Sequence, residues 1–107
     1  MTQTASNHRI LVVDDEPRLR DSLRDLLRNS GYNTITADGG KSAVTILAEQ
    51  SVDLLLLDLK MPGYSGHQVM DFIEENAIDA AVIVVSGETS FDNMAPTALS
   101  WLEMLNV

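Results

Sequence analysis

The chain has 107 residues, no cysteine and a formal net charge of −9. Its length suits one domain, the lack of cysteine excludes disulfides and thiolate metal sites, and the acidic balance argues against direct contact with nucleic acid or an anionic membrane. The charge is unevenly placed, because all seven Lys and Arg lie at or before Lys60, whereas seven Asp or Glu and no Lys or Arg follow it.

No segment of the sequence has the pattern of a secretory signal or a membrane span. Residues 1–9 are polar and lack the apolar stretch that a signal peptide needs. Apolar runs such as Leu54 to Leu57 are far too short to cross a bilayer. We therefore expect a cytoplasmic protein with a flexible tail over residues 1–8 and one domain over residues 9–107.

Strand and helix patterns alternate along the chain. The strand patterns are short aliphatic or β-branched runs at Arg9–Val13, Tyr32–Ala37, Asp53–Leu57 and Ala80–Val85. The helix patterns place apolar residues at helical spacing from Pro17 to about Asn29, from Ala43 to near Gln50 and from Val69 to about Asn76. This β-α-β-α-β-α-β order predicts a parallel sheet with helices on both faces.

Polar residues follow three of these strands: Asp14 and Asp15 after the first, Asp58 after the third and Ser86 after the fourth. Ligands of such sheets bind at the carboxyl ends of the strands, so we expect the three aspartates to converge. Carboxylates packed together repel one another unless one takes up a proton or a cation binds. An oxygen-only set of ligands suits Mg²⁺.

A carboxylate beside Mg²⁺ can act as a nucleophile toward phosphorus. In that chemistry the metal neutralises the incoming phosphate, and the Ser86 hydroxyl can donate a hydrogen bond to one of its oxygens. The residues thus suggest phosphoryl transfer at the predicted acidic cluster.

The same segments carry a family resemblance. ILVVDDEP at 10–17, LLLLDLKMPGYSG at 54–66 and VIVVSGE at 82–88 together resemble the receiver domain of two-component response regulators, in the right order and spacing. The resemblance runs from about Arg9 to Asp92. It implies a flavodoxin-like fold, which is a doubly wound parallel sheet with helices on both faces.

The resemblance also implies roles for individual residues. Asp58 would accept a phosphoryl group from a histidine kinase or phosphotransfer protein, in a switch that is not a turnover enzyme. Asp15 would bind Mg²⁺ directly, Asp14 through water, and the Lys60 backbone carbonyl would be a further ligand. Ser86 would be the hydroxyl that moves toward the phosphate and draws its loop along.

Residues 93–107 depart from the family pattern. Receivers usually have a fifth strand with an aromatic switch residue and then a Lys-Pro pair, whose lysine would fall just past Val107. We expect the fifth strand to be missing or altered and phosphorylation to be weaker, since a charge-assisted contact contributes roughly 1.5–3 kcal/mol. The strand at Ala80–Val85 would then be an apolar edge, covered by the atypical C-terminal segment or shared in a homodimer.

Two alternative functions remain open. A degenerate receiver would bind partner proteins without being phosphorylated, as the altered C-terminal segment suggests. A phosphatase-like hydrolase would use Asp58 as its nucleophile, but that superfamily usually has a second aspartate two residues later, and Lys60 stands there. Lysine at that position leaves the hydrolase without its general acid.

Overall fold

The computed structural model describes residues 8–85, which contain four strands and three helices in strict alternation. The strands are β1 (Arg9–Val13), β2 (Asn33–Ala37), β3 (Leu54–Asp58) and β4 (Ala81–Val85). The helices are α1 (Pro17–Asn29), α2 (Gly40–Glu49) and α3 (Gly66–Glu75). The expectations for Ser86, the fifth strand, the segment 93–107 and all of the N-terminal tail except His8 lie outside the described residues.

The predicted element order is confirmed, and the bounds differ mainly at two helix starts. Helices α2 and α3 begin at Gly40 and Gly66, each one turn before the apolar spacing that marked them in the sequence. Their first turns are largely polar, so apolar periodicity cannot reveal them. Ser65 caps α3 instead: its hydroxyl accepts from Gln68 N, and the Gln68 side chain accepts from Ser65 N, which is a capping box.

The sheet is parallel, and its strand order is β2-β1-β3-β4. From β1 the chain crosses to β2 on one side, whereas β3 lies on the other side of β1. The strand order therefore reverses between β1 and β3, which is where open α/β sheets bind their ligands. In the register, Val13 at the end of β1 pairs with Leu57 near the end of β3.

Apolar residues fill both faces of the sheet, as the unbroken aliphatic runs of β1 and β3 predict. Alternate residues go to opposite faces: Ile10 and Val12 pack in the same cluster as α1, and Leu11 and Val13 pack with α2 and α3. Leu54 to Leu57 are all essentially inaccessible to solvent.

No helix within residues 8–85 is long and apolar enough to span a membrane.

The outer strand β2 is covered at one point by a side chain from α1. Arg28 donates from both Nε and Nη2 to the Thr34 carbonyl, at 3.2 and 2.9 Å. An outer strand presents carbonyls that its own sheet does not pair. The guanidinium therefore satisfies a β2 acceptor and ties the end of α1 to the sheet.

We expect Leu55→Ala to lower the free energy of unfolding by about 2–5 kcal/mol, because the truncation leaves a cavity in the core. Leu55 has no exposed surface and is the second residue of β3. Urea unfolding followed by circular dichroism measures the change. Met70→Ala is the matched control, since this α3 side chain is 39% exposed, and equal losses in the two variants would contradict the described core.

Candidate functional site

Three aspartates meet at the carboxyl edge of the sheet. Because Val13 pairs with Leu57, the next residues along the two strands, Asp14 and Asp58, are neighbours. Carboxylate oxygens of Asp14, Asp15 and Asp58 all lie within 4.8 Å of one another. Asp14 and Asp58 are buried and Asp15 is exposed, so solvent reaches the cluster from the Asp15 side.

Main-chain N–H groups hold the two buried carboxylates. Glu16 N donates to Asp14 Oδ1 at 2.8 Å, and Lys60 N donates to Asp58 Oδ1 at 3.0 Å. Each donor lies two residues after its acceptor, in a local turn that fixes the side-chain orientation. The loops after β1 and β3 thus aim both carboxylates at the same place.

The surroundings of the cluster disfavour the ionised form of its two buried carboxylates. Burial raises the pKa of both Asp14 and Asp58, and the negative charge of neighbouring carboxylates raises it further. The hydrogen bonds from Glu16 and Lys60 act in the opposite direction and lower the pKa, but they do not cancel the rise. The ionised pocket therefore gains stability from any bound positive charge.

The backbone beside the cluster is held from two directions. Arg20, in the first turns of α1, donates from Nη1 to the Asp14 carbonyl at 2.8 Å. Asp14 N donates to the Ala37 carbonyl of β2 at 3.2 Å. Sequence reasoning did not single out Arg20, because an arginine near a helix start has no distinctive pattern.

For two of the predicted site residues, Lys60 and Ser86, the structure does not test the predicted role. The Lys60 side chain is exposed, and its main chain lies at the cluster through the bond to Asp58; its role as a carbonyl ligand stays a prediction. Ser86 lies outside the described residues. The residue before it, Val85, pairs with Asp58 in the sheet.

The donor set fits a hard divalent cation. Within the described part of the chain, the cluster offers three carboxylates and neither histidine nor cysteine. Mg²⁺ is bound in proteins through one or two carboxylates while it keeps several waters. Such carboxylates are supplied by the buried Asp14 and Asp58 and by the exposed Asp15. Because Asp15 is exposed, the site is also accessible to solvent.

Carboxylates at the point where the strand order reverses place this chain among the α/β proteins that bind a ligand at the edge of an open parallel sheet. Comparison with known proteins identifies the family. Residues 10–101 match the family model of the response regulator receiver domain. The chain therefore belongs to the response regulator receiver domain family of two-component signalling. The flavodoxin-like fold expected from the sequence is confirmed for the described strands and helices.

Individual relatives agree with this assignment. The chain is 36% identical over 85 residues to sporulation initiation phosphotransferase F of Bacillus subtilis, covering 77% of this chain and 68% of that protein. Other curated relatives are longer, and the chain spans between 18% and 38% of several of them.

Solved structures show the same fold. A receiver domain of the Francisella response regulator 1452 superposes with a TM-score of 0.79 at 20% identity, covering 94% of this chain and 97% of that one. TrrA of Thermotoga maritima, which was solved in complex with Mg(2+)-BeF, is 36% identical to this chain. The match covers 89% of this chain and 80% of the TrrA chain, with a TM-score of 0.70. TrrA was also solved in complex with the histidine kinase ThkA, where the match is 31% identical over 87% of this chain and 97% of that one, with a TM-score of 0.72.

We expect Asp58→Asn to raise the free energy of unfolding at neutral pH in metal-free buffer. The folded-state pKa of Asp58 is raised, so stability falls as the pH rises from the ordinary aspartate value, about 3.9, through the folded value. Asparagine keeps the acceptor for Lys60 N and removes the charge. Urea unfolding between pH 3 and pH 8, at about half-unit steps, measures the difference.

The difference between Asp58→Asn and the wild type should vanish at the acid end of this range, where both side chains are neutral. Asp71→Asn, which changes an exposed aspartate on α3, is the matched control for the change in net charge. A stabilisation that is equally large at every pH would contradict the electrostatic cause.

Proposed function

We propose that this domain accepts a phosphoryl group on Asp58 in a Mg²⁺-dependent reaction, and that it works as a switch rather than as a turnover enzyme. The observation that carries the proposal is the meeting of Asp14, Asp15 and Asp58 within 4.8 Å at the carboxyl edge of a receiver-family sheet. The donor would be the phosphohistidine of a histidine kinase or of a phosphotransfer protein.

The chain's own residues prepare Asp58 for this transfer. In the reaction an Asp58 carboxylate oxygen forms a bond to phosphorus, the bond from phosphorus to the histidine nitrogen breaks, and that nitrogen keeps the electron pair. The Lys60 N–H, bound to Asp58 Oδ1, holds the carboxylate in one orientation. Preorganisation of the nucleophile lowers the entropic part of the barrier. Ser86 is proposed to donate its hydroxyl to a phosphoryl oxygen.

The proposed ligands of the metal are Asp15 directly, Asp14 through water, Asp58 and the Lys60 carbonyl. Bound Mg²⁺ would supply positive charge that offsets the repulsion between the carboxylates and the incoming phosphoryl group. The Mg(2+)-BeF complex of the 36% identical TrrA supports this part of the proposal.

The partner is proposed from chemistry and from relatives. The complex of TrrA with the histidine kinase ThkA supports a kinase as the partner of this domain. The net charge of −9 supports the proposal that the domain makes no direct contact with nucleic acid. A cytoplasmic location is proposed from membership of the receiver family. A homodimer through the segment 93–107 is a further proposal, and that segment lies outside the described residues.

Phosphorylation is tested with acetyl phosphate, a small-molecule phosphoryl donor, and Mg²⁺. We expect intact-mass spectrometry to detect one added phosphoryl group on the wild-type chain and on Asp71→Asn, and none on Asp58→Asn. Chelation of the metal with EDTA should abolish the adduct. A modified Asp58→Asn chain would contradict the assignment of the acceptor.

The same experiment distinguishes the degenerate-receiver alternative, which the departure of residues 93–107 from the family pattern favours. That alternative holds if Mg²⁺ binds the wild-type chain and neither acetyl phosphate nor beryllofluoride modifies or occupies Asp58. Turnover of an aryl phosphate that depends on Asp58 would instead favour the hydrolase.

We expect Asp15→Asn to weaken Mg²⁺ binding by at least about tenfold, which corresponds to about 1.4 kcal/mol. Asp15 is the exposed member of the cluster, so its substitution disturbs the core least. Isothermal titration calorimetry with MgCl₂ measures the affinity, and Asp71→Asn serves as the control. Unchanged affinity in Asp15→Asn would exclude this residue as a direct ligand.

A further inference from the structure

The loop of residues 59–65 between β3 and α3 connects the acceptor to the rest of the fold. It begins directly after Asp58, and its Lys60 N–H holds the Asp58 carboxylate. A displacement of this loop therefore moves the hydrogen-bond donor and disturbs the orientation of the carboxylate. What fixes the loop also fixes the site.

Gly66, the first residue of α3, lies against the backbone of the acceptor itself. A Cβ atom at this position would overlap the Asp58 carbonyl oxygen and would lie 2.6 Å from Leu59 Cα. These are backbone atoms, so no side-chain rotation can relieve the overlap. Gly66 N also donates to the Leu59 carbonyl at 3.4 Å, which is consistent with direct packing of the two segments.

Gly40, the first residue of α2, makes a similar approach at the other end of the loop. A Cβ atom there would overlap the Tyr64 carbonyl oxygen and would lie 2.5 Å from Tyr64 Cδ1. Gly40 and Gly66 are both buried. The two helix starts thus contact the loop through glycines that have no side chain to separate them from it.

Backbone conformation does not explain either glycine. Among the described glycines only Gly31 and Gly63 have positive φ angles, the region that favours glycine. Alanine at position 66 would even favour α3, since it is the better helix former. The close approach to the loop is what excludes a side chain at positions 40 and 66.

We propose that Gly40 and Gly66 are positioning residues of the phosphoacceptor site: their bare backbones seat the loop 59–65 so that Asp58 and Lys60 take the geometry that binds metal. This inference rests on the proposed function. It assigns neither glycine to the chemistry, because both act through Asp58, Leu59 and Tyr64.

The test compares Gly66→Ala with Gly39→Ala on the full chain. Gly39 is the matched control, because it precedes α2 in extended backbone with φ −177° and nothing lies within 4 Å of an added Cβ. Calorimetry with MgCl₂ measures metal affinity, ¹⁹F NMR measures beryllofluoride uptake, and urea unfolding measures stability. The amide signal of Lys60 in ¹H–¹⁵N spectra reports the bond to Asp58 in the metal-free protein.

We expect Gly66→Ala to weaken Mg²⁺ binding by about 10- to 100-fold, the usual effect of losing outer support of a metal ligand. Its Lys60 amide signal should move, and beryllofluoride uptake should fall. Gly39→Ala should leave all three unchanged. A folded Gly66→Ala chain with wild-type affinity and an unmoved Lys60 signal overturns the proposal.

Folding failure and failure of the proposed function give separate results. If Gly66→Ala does not fold, Gly40→Ala carries the test, since its methyl group meets Tyr64 and not Asp58. Loss of folding in both variants overturns the proposal and assigns the glycines to the fold alone. If the wild-type chain binds neither Mg²⁺ nor beryllofluoride, the proposed function fails, and the Lys60 amide still tests the positioning.

Discussion

The side-by-side pairing of β1 and β3 is the constraint on which the site depends. It places Asp14 next to Asp58 although like charges repel and burial disfavours both carboxylates. The register of the sheet keeps the two residues side by side. A slip of one residue would turn every aliphatic side chain of these strands to the opposite face, so the packed core on both faces prevents the carboxylates from moving apart.

This arrangement explains why a cluster of negative charge can serve a signalling domain. The apolar core offsets the free-energy cost of holding the carboxylates together. A bound cation lowers that cost by reducing the repulsion between them. Each buried carboxylate also accepts a main-chain N–H from its own loop. The loops after β1 and β3 are therefore mechanically connected to the site, which is a requirement for any switch that reports a change at Asp58.

The sequence allowed prediction of the features that depend on local pattern. Aliphatic runs such as Leu54–Leu57 mark buried strands, and an aspartate at the end of such a run must lie at the edge of a parallel sheet. Tertiary contacts between different elements leave no such pattern. The bond from Arg20 to the Asp14 carbonyl and the close approach of Gly66 to Asp58 depend on three-dimensional distance, which the sequence does not contain. The predicted role of the Lys60 carbonyl and the predicted movement of Ser86 come from the family resemblance alone.

Arg28 has a consequence beyond the attachment of α1 to the sheet. Its guanidinium occupies the Thr34 carbonyl on the outer strand β2, where the strand of a neighbouring molecule would otherwise add to the sheet. At this rung a foreign strand must displace two donors that carry positive charge before it can pair. The arginine thus disfavours the addition of a further strand at this point of β2.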